Sequence, residues 1–113
     1  MSPNIMWTQD GITVAGGNEK GNELNQLFYP WGLAVDHDQN IYVADCVNDR
    51  VMEWKPGATS GRVVAGGNDE ESKANQLDGP RGVIIDKQTD SLIICDSRNR
   101  RIVRWPRQGS TNG

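Results

Sequence analysis

Short apolar stretches of about five residues, set between polar and Gly- or Pro-containing connections, recur along the chain. Gly32-Leu33-Ala34-Val35-Asp36 is followed by Ile41-Tyr42-Val43-Ala44-Asp45, Arg50-Val51-Met52-Glu53-Trp54 and Arg62-Val63-Val64-Ala65. The same order returns as Gly82-Val83-Ile84-Ile85-Asp86, Leu92-Ile93-Ile94-Cys95-Asp96 and Arg101-Ile102-Val103-Arg104-Trp105. Each stretch is rich in β-branched or aromatic residues and bounded by Gly, Asn, Asp or Pro, which predicts strands. None is long enough for a stable helix. The first two stretches of each series are nearly continuous apolar runs, so both their faces are expected to be buried. Ile12-Thr13-Val14-Ala15 reads as an earlier copy of the fourth strand, and Ile5-Met6-Trp7 as the end of a third.

The stretches belong to an internal repeat. Val14-Ala15-Gly16-Gly17-Asn18 returns as Val64-Ala65-Gly66-Gly67-Asn68, an offset of 50 residues. Asn25-Gln26-Leu27, Pro30, Gly32 and Asp36 return at the same offset. One residue is inserted near Asp90 and Ser91, and Asp45, Asn48, Arg50 and Trp54 then return as Asp96, Asn99, Arg101 and Trp105 at an offset of 51. Four strands in a unit of this length is the signature of a propeller blade. With strands a to d numbered from the axis outward, the d–a and b–c connections fall on one face of the disc.

The pattern Pro-x-Gly-(apolar)3-Asp, then Ile41-Tyr42-Val43-Ala44-Asp45-x-x-Asn48-x-Arg50-Val51, resembles the NHL repeat. The resemblance implies an all-β fold of four-stranded antiparallel β-propeller blades, in a family whose propellers are usually six-bladed. It covers roughly Ile5 to Trp105, with Asp49 and Arg100 where the family name has histidine. The expected organisation is residues 1–15 as the end of a preceding blade, 16–65 as a complete blade, 66–107 as a blade lacking its outer strand, and 108–113 as a polar tail. Such a chain is a partial propeller, either a fragment of a longer protein or a protomer that self-associates, because two blades leave two apolar faces wet.

Asp45, Asn48 and Arg50, with Asp96, Asn99 and Arg101, are read as a structural motif. A carboxylate accepts N–H bonds across the turn, Asn suits a left-handed turn conformation, and Arg forms a charge-assisted pair. The Gly-Gly pairs are expected to turn the chain off strand d with positive φ rather than to cradle phosphate, since no Gly-Lys-Ser/Thr follows. Trp54 and Trp105 recur in register and are expected to pack. Phe28, Tyr29 and Trp31 occur in the first d–a connection only, where the second unit has Asp78, Gly79 and Arg81. Loop aromatics specific to one repeat suit a binding role.

Composition narrows the function. The chain of 113 residues has 12 basic and 15 acidic residues, two cysteines and one histidine, His37. No apolar run is long enough to span a membrane, no disulfide framework or zinc spacing is present, and His37 reads as a solvated turn residue. Cys95 reads as a small buried hydrophobe. No catalytic residue, metal set or cofactor is implied. The absence of a secretory signal favours the cytoplasm. The arginines are uneven: Arg98, Arg100, Arg101, Arg104 and Arg107 make the end of the chain basic, whereas the part before it is net acidic. Arg98, Arg100, Arg104 and Arg107 therefore form a second candidate surface, suited to RNA. The expected function is a non-enzymatic scaffold that binds a protein or another ligand through the d–a and b–c loop face, using Phe28, Tyr29, Trp31 and Arg81. The alternatives are an RNA-binding face, a blade pair from a propeller lyase or hydrolase, and the recognition domain of a ubiquitin ligase.

Overall fold

The computed structural model describes residues 11–67 and 76–107. Seven strands follow in chain order: β1 (Pro30–Val35), β2 (Ile41–Asp45), β3 (Arg50–Trp54), β4 (Arg62–Gly66), β5 (Pro80–Asp86), β6 (Ser91–Asp96) and β7 (Arg101–Pro106). They form two antiparallel meanders, β1-β2-β3-β4 and β5-β6-β7. The fold is all-β, two propeller-type blades of four and three strands. Single 3₁₀ turns, Cys46–Asn48 and Ser97–Asn99, join β2 to β3 and β6 to β7. No helix among the described residues is long and apolar enough to cross a membrane.

Register sorts the side chains of each sheet onto two faces, because alternate residues of a strand point to opposite sides. In the first sheet Leu33, Val35, Val43, Met52 and Trp54 share what we term the leading face, and Ala34, Tyr42, Ala44, Val51 and Glu53 the trailing face. In the second sheet the repeat-equivalent leading set is Val83, Ile85, Leu92, Ile94, Val103 and Trp105, and the trailing set is Ile84, Ile93, Cys95, Ile102 and Arg104. The core forms where the trailing face of the first sheet meets the leading face of the second. Tyr42 and Val51 pack there with Val83, Leu92 and Ile94, and Leu77 and the β4 residues Val64 and Ala65 close the outer side. Val64 is the extra residue of a bulge in the β3–β4 ladder, which lets it turn inward and become buried.

The inner strands run close together. A Cβ on Gly32 would lie 2.7 Å from the Arg81 carbonyl oxygen and 3.0 Å from the Gly82 Cα. The glycine of the first Pro-x-Gly motif is therefore required by the approach of β1 to β5. At Gly82 the nearest atom to such a Cβ is the Cys95 Cβ at 3.6 Å, an ordinary contact.

Four expectations are corrected. Residues 12–15 are not a strand; β4, their counterpart, is one because it pairs with β3, whereas no described residue pairs with 12–15. The proposed partner, Ile5-Met6-Trp7, lies outside the described residues, as does the tail 108–113. The innermost strands β1 and β5 are not buried on both faces, with Leu33 63% and Ile84 62% exposed, whereas β2 is: Tyr42, Val43 and Ala44 are all buried. Cys95 is half-buried, on the trailing face. The left-handed residues of the 3₁₀ turns are Asp49 (φ 56°) and Arg100 (φ 55°), one place after the asparagines. The Gly-Gly pairs do turn at positive φ, at Gly16, Gly17, Gly66 and Gly67.

Candidate functional site

The turn after β2 and the connection leading into β1 are tied together by one buried carboxylate. Asp45 Oδ1 accepts the Phe28 backbone N–H at 2.7 Å, and Oδ2 accepts Asn48 Nδ2 at 2.9 Å and Arg50 Nε at 2.7 Å. The Arg50 guanidinium continues to the carbonyls of Asn22, Glu23 and Gln26, at 3.1, 3.0 and 3.0 Å. Asp96 repeats the arrangement, accepting from Asp78 N at 2.6 Å, Asn99 Nδ2 at 2.9 Å and Arg101 Nε at 2.7 Å. The motif thus reaches beyond its own turn and fixes the loop before the inner strand. Burial pushes the Asp96 carboxyl up, but the donors of Asn99, Asp78 and Arg101 outweigh it and hold its pKa below the ordinary value. The Asp49 carboxylate reaches into the second unit, accepting the Gly79 N–H at 2.9 Å.

On this scaffold stand the loop aromatics. Phe28 and Tyr29 stack with centroids 6.0 Å apart, and Lys20 lies 5.3 Å over the Phe28 ring. Their backbone carbonyls accept from the 3₁₀ turn: Val47 N to Phe28 O at 3.1 Å and Cys46 N to Tyr29 O at 3.3 Å. Tyr29 has φ 59°, an uncommon conformation for a bulky residue, and its side chain is 68% exposed as a result of facing outward rather than onto the core. Trp31, also largely exposed, receives the Arg81 guanidinium 4.9 Å above its ring. Trp31 and Arg81 occupy equivalent positions at the starts of the adjacent inner strands, so the close approach at Gly32 sets them face to face. No carboxylate of the described residues pairs with Arg81. Phe28, Tyr29, Trp31 and Arg81 therefore share the loop end of the molecule.

The arginines do not share one surface. Arg98 and Arg100 lie exposed at the turn before β7, with Arg98 Nη1 3.5 Å from Asp78. Arg104 and Arg107 lie farther along and just past β7, about 13 and 23 Å from Arg100 at about 3.3 Å per extended residue. Arg104 Nη1 pairs with Asp86 Oδ2 at 2.7 Å and donates to Thr89 Oγ1 at 2.7 Å. Arg107 pairs with Asp90 at 2.8 Å and with Asp36 of the first sheet at 3.1 Å, and donates to the Tyr42 hydroxyl at 2.9 Å.

Arg107 belongs to a buried polar network that the sequence did not flag. The Tyr42 hydroxyl donates to Glu53 Oε2 at 2.9 Å, and Arg62 Nε donates to Glu53 Oε1 at 2.6 Å. Burial pushes the Tyr42 phenol well above its usual range, and Glu53 adds to that. Burial also raises Asp36, but donors from Asn40, Arg107 and the Asp38 N–H prevail and lower its pKa from 3.8 to about 2. The available signal was Glu53 itself, a carboxylate where the second unit has Arg104.

A family model of the NHL repeat matches residues 29–51, which span Tyr29, β1, β2 and the Asp45–Asn48–Arg50 staple. NHL repeats generally mediate protein interactions. The matched stretch is similar to an NHL repeat, its second copy returns at the sequence offset of the repeat, and the two antiparallel sheets are consistent with the blades of a partial β-propeller.

Proposed function

We propose that the chain is a non-enzymatic propeller scaffold whose loop face binds a protein partner. The observation that carries this reading is the Trp31–Arg81 pair: an exposed aromatic ring stacked on a guanidinium that has no carboxylate partner among the described residues. Trp, Tyr and Arg are the side chains that dominate interface energetics. Arg81 retains N–H donors for a carboxylate, while Tyr29, Trp31 and Val47 offer exposed apolar surface beside it. The matching ligand is a protein segment that presents an acidic side chain next to an apolar one. The strained, stapled backbone beneath keeps this surface preformed, which lowers the ordering cost of binding.

The test is a selection of peptides from a random display library against the full chain, followed by titration of the winners. Binders should carry an acidic residue beside an aromatic or aliphatic one, and Trp31→Ala and Arg81→Ala should each weaken them at least tenfold, about 1.4 kcal/mol. Binders indifferent to both substitutions would reject the loop face as the site.

A further inference from the structure

We infer that the loop face takes an extended segment laid along the seam between the two units, with acidic residues at alternate positions on one side and apolar residues on the other, and that Arg98 is the second cation that reads this spacing. The inference rests on the loop-face reading above and adds the partner's conformation and residue order.

The two units present different chemistry at equivalent places. Phe28, Tyr29, Trp31 and Val47 of the first return in the second as Asp78, Gly79, Arg81 and Arg98. One half of the face is therefore apolar and the other charged. Two contacts cross the seam and hold the halves side by side. The Asp49 carboxylate accepts the Gly79 N–H at 2.9 Å, and the Arg81 guanidinium lies 4.9 Å over the Trp31 ring.

Gly79 decides where the second cation stands. It has φ 64°, as its counterpart Tyr29 has φ 59°, but it carries no side chain. The stem of Arg98 runs across the space this leaves: a Cβ on Gly79 would lie 3.3 Å from the Arg98 Cγ and 3.5 Å from its Nε. The Arg98 backbone N–H donates to the Asp78 carbonyl at 3.0 Å and fixes the root of the side chain. Arg98 and Arg81 thus stand over positions two residues apart in the chain, at most about 7 Å. That is the spacing of residues i and i+2 of an extended peptide, whose side chains point to one side. The residues between them point to the other side, toward Tyr29 and Trp31, which are also two apart. Two adjacent acidic residues do not fit, because one of them would face the apolar half.

Arg98 retains donors for such a ligand. Its side chain is 75% exposed, and Nη1 stands 3.5 Å from the half-exposed Asp78, against 2.7 Å for Arg101 with Asp96 and for Arg104 with Asp86. The position is open by its place in the repeat. Val47, the counterpart of Arg98, is 46% exposed although the preceding connection and the second unit both lie beside it.

The test titrates the full chain, at low ionic strength, with two synthetic peptides of one composition flanked by Gly-Ser. One alternates its residues (Glu-Leu-Asp-Tyr) and the other blocks them (Glu-Asp-Leu-Tyr). The alternating peptide should bind roughly three- to fivefold more tightly, the range an exposed ion pair supplies. Arg98→Gln should remove that advantage and leave the blocked peptide unchanged. Asp78→Asn, which relieves Arg98 of its competing carboxylate, should strengthen the alternating peptide. Equal affinities for the two peptides, binding of neither, an Arg98→Gln loss shared by both, or no gain in Asp78→Asn would each overturn the proposal. If these peptides fail while library-selected binders still weaken in Trp31→Ala and Arg81→Ala, the alternating register falls and the loop face stands. Selected binders indifferent to both of those substitutions remove the loop face itself.

Discussion

Replacing Asp45 by Asn alters one atom and removes one charge at a position with no solvent exposure. The Oδ2 of Asp45 receives two donors, Asn48 Nδ2 and Arg50 Nε. With an amide nitrogen there, donors face donors; with the amide turned, the Phe28 N–H loses its acceptor. Arg50, with a side chain only 6% exposed, is left without its counter-charge. Breaking a buried ion pair from one side costs about 3–5 kcal/mol. In a domain of this size a loss of about 4 kcal/mol lowers the melting midpoint by roughly 15 °C. Asp96→Asn is the internal control: its partner Arg101 is 33% exposed, so water takes over part of the solvation and the loss should be nearer about 2 kcal/mol. Urea denaturation of both variants at one fixed protein concentration measures the difference, the fixed concentration being needed because association shifts midpoints. In an Arg50→Met background Asp45→Asn should cost much less. A cost below about 1 kcal/mol for Asp45→Asn, or one no larger than that of Asp96→Asn, would refute the staple argument.

Three further outcomes follow from the packing and the charges. Gly32→Ala should destabilise by about 1–3 kcal/mol, because its Cβ meets backbone at 2.7 Å, while Gly82→Ala should be near neutral; equal urea midpoints for the two would contradict the close approach of β1 to β5. The lowered Asp36 pKa means that its contribution is complete above pH 3.8 and is lost as pH falls toward 2, about 2 kcal/mol in all; an acid limb unchanged in Asp36→Asn would show that its donors add nothing. Glu53→Gln should weaken the Tyr42–Arg62 bridge and lower the phenol pKa of Tyr42, read by ultraviolet titration; an unmoved phenol would place the perturbation elsewhere.

The blades were legible because a repeat offset and strand alternation are both local signals. Seven strands fall where the apolar stretches predict them, shifted by at most two residues at their ends. The staple was legible in kind, since Asp, Asn and Arg recur together, but its reach into the preceding connection was not: nothing local marks Phe28 N–H as the donor to Asp45. Residues 12–15 show the limit of pattern reading, because their repeat counterpart becomes a strand beside β3 whereas no described residue pairs with 12–15. The arginine segment shows another. Its residues are neighbours in sequence, yet the extended β7 sends Arg98 and Arg107 to opposite ends, where Arg107 crosses to Asp36 and Tyr42. Glu53 drew no reading of its own from the sequence, yet it is buried between Tyr42 and Arg62, because its role depends on partners from other strands.

The central claim is that partners bind on the stapled loop face. Amide and indole chemical-shift mapping of the full chain, titrated with a selected acidic–apolar peptide, tests it most directly. The account predicts shifts centred on the Trp31 indole N–H and the amides of Tyr29, Val47 and Arg81, with Asp36, Asp86 and Arg104 unmoved. Shifts confined to the opposite end, around Asp36, Asp86 and Arg104, would contradict it.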